Sequence, residues 1–169
     1  MTGTTLADSS GHHHDATSSM ISLGQSGAFP GSGAAAHFDG NAFASIPDSV
    51  SDNFHGIDFL DRPLVIMQRE NDPTDDTQAM TPGPGIPDAT GWHYLVATYD
   101  GSTIDIYVDN VLAGTSGSTT TLPVTNVQLL IGAEDTSVGN GLVGSMDEAA
   151  IYTTALTLTQ RSTHFAAAK

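Results

Sequence analysis

The chain of 169 residues contains no cysteine, which excludes a disulfide framework, a thiolate metal site and a thiol nucleophile. A metal would have to be held by oxygen or imidazole. Basic residues are nearly as scarce, with 4 Lys and Arg against 19 Asp and Glu, giving a formal charge of −15. The chain therefore lacks the positive footprint that a phosphate backbone or an anionic bilayer surface requires, so nucleic acid and membrane are excluded as partners. Long apolar runs are missing too, and the opening Met1-Thr2-Gly3-Thr4-Thr5 is neither basic nor apolar. No signal peptide or membrane span is readable. What is abundant is the turn former, with 18 Gly and 8 Pro among many Thr, Ser, Asp and Asn. A chain that turns this often favours an all-β domain, and one domain over residues 1–169 is the expectation from length.

The clearest local pattern is Trp92 to Tyr99, then Asp100-Gly101, then Ser102 to Val108. Two β-rich runs around Asp-Gly predict a hairpin with a type I′ turn, because that turn needs φ > 0 at both central positions. Ile104, Ile106 and Val108 alternate with Asp105 and Tyr107, so one face of the second strand is dry. Asp109-Asn110 predicts a second tight turn into Val111-Leu112-Ala113. Further strands are expected over 127–132 and 142–152. Ala34–Phe38 and Ala42–Ile46 read as a hairpin around Asp39-Gly40-Asn41, and Pro63–Gln68 as a lone apolar strand. Arg69 to Gly91 reads as a long loop with at most one edge strand. Thr157-Leu158-Thr159-Gln160 fits a capping box, opening one short helix whose Leu158, Ser162 and Phe165 are spaced to face a sheet. Roughly ten antiparallel strands and one terminal helix make a sandwich or barrel. The expected core holds Trp92, Ile104, Ile106, Val108, Leu130 and Ile151.

Four ordered segments carry a family resemblance: Asp8-Ser9-Ser10-Gly11, Phe38-Asp39-Gly40 with Ile46-Pro47-Asp48-Ser49, Trp92-His93 through Tyr107-Val108-Asp109, and Gly144 through Tyr152 before Ala155-Leu156. Together they resemble the laminin G-like, concanavalin A-like jelly-roll family in its bacterial and phage variety. The resemblance implies an antiparallel two-sheet jelly-roll sandwich with one short C-terminal helix. Only Met1 to Ala7 precede the Asp-Ser-Ser-Gly segment, where family members carry an extra strand, and the middle between 50 and 90 is short. The sheet is therefore expected to leave an edge that templates another chain.

The glycanases that share this fold use two carboxylates on alternate residues of one strand, and the pattern Glu-x-Asp-x-x-Glu is absent here. Asp147 and Glu148 are adjacent, so on a strand they point to opposite faces. No Gly-x-Ser-x-Gly elbow occurs either, and the chain reads as a non-enzyme. Calcium is the chemical expectation that the acidity supports, since hard cations take several oxygen ligands. In the family a structural cation links the N-terminal segment to the last long strand, which implies Asp147, with Asp8 and the Asp39-Gly40 region as companions. The acids of Glu70 to Asp76 read as a solvated loop, and His12-His13-His14 as a polar turn, since three consecutive His cannot all reach one ion. Trp92 occupies a position that resembles a buried family tryptophan, leaving Tyr94 and Tyr107 as the aromatic candidates for a ligand surface.

Three functions compete. The first is a non-catalytic structural or adhesive module on the exterior of a larger assembly, such as a phage virion decoration protein, recognising a glycan or a protein. The second is a secreted, calcium-dependent, lectin-like glycan binder, and the third a degenerate glycanase. The first two place the chain on a virion surface or outside the cell. The first expects association through the N-terminal segment, with a copy of itself or a shell protein.

Overall fold

The computed structural model describes residues 4–47, 57–60, 64–69, 77–80, 91–117, 128–133, 136–137 and 141–169. Thirteen strands and one helix lie within them. One antiparallel sheet is ordered β1 (Thr5–Leu6), β2 (Ala16–Ser19), β5 (Phe43–Ile46), β12 (Leu129–Ile131). A second is ordered β13 (Val143–Met146), β4 (Ala34–Asp39), β3 (Ser22–Ser26). A third contains β11 (Val111–Gly117), β10 (Thr103–Val108) and β9 (Leu95–Tyr99). The fourth joins β6 (Ile57–Leu60), β7 (Leu64–Arg69) and β8 (Thr77–Met80). Every ladder is antiparallel, and the fold is an all-β sandwich closed by α1 (Leu158–Ala167). The expected lone strand over 63–68 is instead the centre of its sheet, because β6 and β8 both pair with it.

The strongest sequence period gives the driest strand. Ile104 and Ile106 are fully buried and Val108 nearly so, while Asp105 and Tyr107 face the opposite side and share a hydrogen bond of 3.0 Å. The β9–β10 turn is not of the expected type. Between β9 and β10 the central pair is Gly101-Ser102, with φ +97° at Gly101 alone and Asp100 N–H donating to the Thr103 carbonyl. Glycine at the first central position is the type II′ pattern. Asp100 stabilises it from outside by accepting from the Ser102 and Thr103 amides. The type I′ pattern falls at Asp109-Asn110, where φ is 51° and 66°.

Residues 34–46 do not form a hairpin. Asp39 accepts from the Asn41 amide and Gly40, at φ +88°, donates to the Leu142 carbonyl. This corner sends β4 and β5 into different sheets. Phe38 is buried at the same corner against Gly132, so closely that a Cβ at Gly132 would enter its ring.

Three residues expected in the core lie elsewhere. Leu129 is buried rather than Leu130: Leu129 pairs with Ile46 and Ile131 with Ala44, whereas Leu130 pairs with Ser45 on the other face. Ile151 is 52% exposed, because β13 ends at Met146 and Glu148 turns the chain with φ 52°. Trp92 is 42% exposed, because β9 starts only at Leu95 and the indole precedes the alternation of the strand.

The capping box forms as spelled: Thr157 accepts from the Gln160 amide while the Gln160 side chain accepts from the Thr157 amide. Of the expected face of α1, Ser162 and Phe165 meet the β9–β10 hairpin, whereas Leu158 is exposed and Arg161 is the buried residue.

Candidate functional site

Gly24 interrupts the pairing of β3 with β4, with a register shift between Leu23 and Gln25 and φ +85° at the glycine. A bulge re-aims the side chains that follow it. Here they are Gln25 and Ser26, which line an open depression of about 330 Å³ with Gly91, Trp92 and Ser145. All five residues of β3 are exposed. Across the sheet, Ser22 and Ser145 both pair with His37, so three polar side chains form one row over β3, β4 and β13. His37 Nδ1 lies 3.3 Å from Ser145 Oγ.

The indole of Trp92 supplies an apolar face beside an amide and two hydroxyls, which donate and accept without carrying charge. Among the described residues, no Lys or Arg is seen to line the depression. The nearest fixed charge in sequence is Asp147. Its Oδ2 accepts from the Ala28 amide at 2.9 Å and would lie 3.1 Å from a Cβ on Gly27, one residue beyond Ser26. Its Oδ1 accepts from the Glu148 amide. Asp147 thus clamps the end of β3 to the end of β13.

The two expected ligand tyrosines belong to a different place, the contact between α1 and the β9–β10 hairpin. The Tyr94 ring meets Phe165 at a centroid distance of 5.8 Å. Arg161 lies over Tyr107 at 3.7 Å and donates to the Leu156 carbonyl, while Asn110 donates to Ser162 Oγ. Burial, then the nearby Tyr152, raises the Tyr94 pKa; burial and the bond to Asp105 raise that of Tyr107. Both rings serve as seats for the helix. At this same open end of the hairpin, Asp109 accepts from the Tyr94 amide and pairs with His93 Nδ1 at 2.8 Å.

The structure does not bring the three expected metal acids together. Val143 pairs with Asp39 and Met146 with Ala36, so Asp147 and Asp39 stand at opposite ends of paired strands, roughly 13 Å apart at the usual rise per residue. Asp8 sits between β1 and β2 in another sheet, and its carboxylate accepts from Ser10 and His14. Among the described residues, no group of three His, Asp or Glu side chains is placed to hold an ion. One calcium shared by Asp8, Asp39 and Asp147 does not fit this arrangement. The Glu70 to Asp76 run lies outside the described residues.

Trp92 is the functional candidate that sequence reading misplaced, and Gln25, Ser26 and Ser145 are the ones it passed over. The available signals were the unpaired position of Trp92 ahead of its strand and the Leu23-Gly24-Gln25 bulge sequence.

No curated protein and no solved structure matches the chain. The family model of the concanavalin A-like lectin/glucanases superfamily matches residues 41–160, which contain Trp92 and Ser145 while Gln25 and Ser26 lie before them. With most of its length matched and an antiparallel sandwich as its fold, the chain belongs to the concanavalin A-like lectin/glucanase superfamily.

Proposed function

We propose that the chain is a non-catalytic adhesive module on the exterior of a larger assembly, such as a virion, and that it recognises a carbohydrate at the Trp92 depression. The observation that carries this reading is the 42% exposed Trp92 set beside Gln25, Ser26 and Ser145. An indole face packs against the apolar C–H face of a sugar ring while amide and hydroxyl groups meet its hydroxyls. Supporting the non-catalytic part, the carboxylates of Asp100, Asp109 and Asp147 hold backbone amides at turns and strand ends.

Assembly is supported by the edge at β1. The Ser18 amide donates to the Thr4 carbonyl and the Thr4 amide to Ser18 Oγ, so by antiparallel alternation the N–H and C=O of Thr5 point away from β2. The partner we assign to this edge is a second copy of the chain, added as a strand. The exterior location and the virion follow from the adhesive reading rather than from any single contact.

The test is a glycan array probed with the wild type and with Trp92→Ala, each in calcium and in chelator. Binding that is lost in Trp92→Ala, with thermal unfolding unchanged, supports the reading. Silence of the wild type in both conditions overturns carbohydrate recognition, and binding that survives Trp92→Ala overturns this site. A signal present only with calcium would support the lectin-like, secreted alternative.

A further inference from the structure

We infer that the depression selects uncharged saccharides and excludes those bearing carboxylate or sulfate groups. This rests on the carbohydrate reading of the Trp92 site and deepens it by naming the chemical class.

Recognition of an acidic sugar needs a cation or a cluster of convergent amides to replace the water its anion loses. Among the described residues the lining offers only neutral groups: the Gln25 amide, the Ser26 and Ser145 hydroxyls and the Trp92 indole. The chain has four cationic side chains among Lys and Arg. Arg161 is buried over Tyr107 and Lys169 lies over Phe165 at 4.2 Å, so neither lines the site, while Arg62 and the side chain of Arg69 lie outside what the structure describes.

Asp147, the fixed charge nearest the lining in sequence, repels an anion. Asp147 is held against Gly27-Ala28, directly after Ser26, by the 2.9 Å bond from the Ala28 amide, and it follows Ser145 by two residues. A net charge of −15 adds a long-range term of the same sign, which salt screens over about 10 Å at ordinary ionic strength. Neutral hydroxyls incur neither penalty, and the amide and hydroxyl groups satisfy them as donors and acceptors.

The experiment measures binding of the whole chain to immobilised gluco-, galacto- and manno-configured oligosaccharides and to their uronic-acid, sialylated and sulfated counterparts. It is run in chelator at pH 8. The expected result is binding to at least one neutral series and roughly fivefold or greater weakening for its acidic counterpart at low salt, the gap narrowing as salt rises. Asp147→Asn, which keeps an acceptor for the Ala28 amide, should narrow the low-salt gap. Equal or tighter binding of the acidic series overturns the inference and leaves the carbohydrate reading standing. A gap unchanged in Asp147→Asn overturns the part given to that carboxylate. Binding to no sugar of either class, in chelator and again in calcium, removes the underlying reading and this inference with it.

Discussion

The guanidinium of Arg161 lies 3.7 Å from the centre of the Tyr107 ring, and Arg161 is one of the buried residues of the fold. A helix of ten residues is short for independent stability, so its place depends on packing. Arg161 supplies that packing through its planar face, its methylene stem and the bond to the Leu156 carbonyl.

Arg161→Ala should therefore destabilise the protein by about 2–3 kcal/mol, combining a desolvated cation–π contact with a lost charged hydrogen bond. Arg161→Lys should fall between, because an ammonium keeps the charge but cannot lie flat on a ring. Urea denaturation of the three proteins checks both values. Equal stability of Arg161→Ala and wild type would show that the helix is held by Phe165 on Tyr94 instead.

Gly132 is the second site where one atom matters. Its φ of +92° disfavours any side chain, and the Phe38 ring already occupies the position of a Cβ. Gly132→Ala should cost about 2 kcal/mol or more through strain and overpacking. Adding Phe38→Leu to Gly132→Ala should cost less than the two single changes summed, since the smaller side chain relieves the clash that alanine creates. Additive losses in a thermal-unfolding cycle would place the cost in the backbone alone.

How much of this was written in the sequence depends on whether a residue's role is local. Alternation at Ile104, Ile106 and Val108 identified their buried face, and Thr157 with Gln160 spelled their own cap, because both signals need only neighbours in the chain. Leu130 and Leu129 differ by one residue in phase, and only pairing with Ile46 decides between them. Trp92 precedes the first paired residue of its strand, so no alternation could assign its side, and resemblance to a buried tryptophan pointed inward. Ser22, His37 and Ser145 become a row only through the registers of three strands far apart in sequence. Arg161 has the composition of a surface residue, and its burial depends on Tyr107 lying beneath it.

The acid side of the stability profile should carry the mark of Asp8. Its carboxylate accepts first from the His14 amide at 3.0 Å, then from the Ser10 hydroxyl at 2.7 Å and amide at 2.8 Å, and these bonds hold its pKa far below the ordinary aspartate range. A carboxyl depressed in the folded state stabilises at every pH above its unfolded value, near 4, and loses that contribution as pH falls further. Wild type should therefore lose melting temperature below about pH 4 more steeply than Asp8→Ala. Above pH 5 the two curves should run parallel, with the variant lower. Curves that stay parallel down to pH 2 would show that the carboxylate contributes nothing through its ionisation.

The edge at β1 gives a prediction that separates pairing within the sheet from pairing beyond it. Leu6 packs against the cluster of Ala16, Ala44, Ile46 and Leu129, and Thr4 and Leu6 turn their backbone groups toward β2. Deleting the first six residues would remove a contact of the core together with the edge, so it cannot isolate association. Thr5→Pro can, because proline removes only the outward N–H and is tolerated on an edge strand. If a second copy adds at β1, Thr5→Pro should turn an associating protein into a monomer by light scattering while its melting temperature at low concentration stays within about 1 kcal/mol equivalent of wild type. Thr5→Val, which keeps the donor and the strand preference, should associate like the parent. Assembly that persists undiminished in Thr5→Pro would move the interface away from this edge, and a wild type that stays monomeric at high concentration would remove self-association altogether.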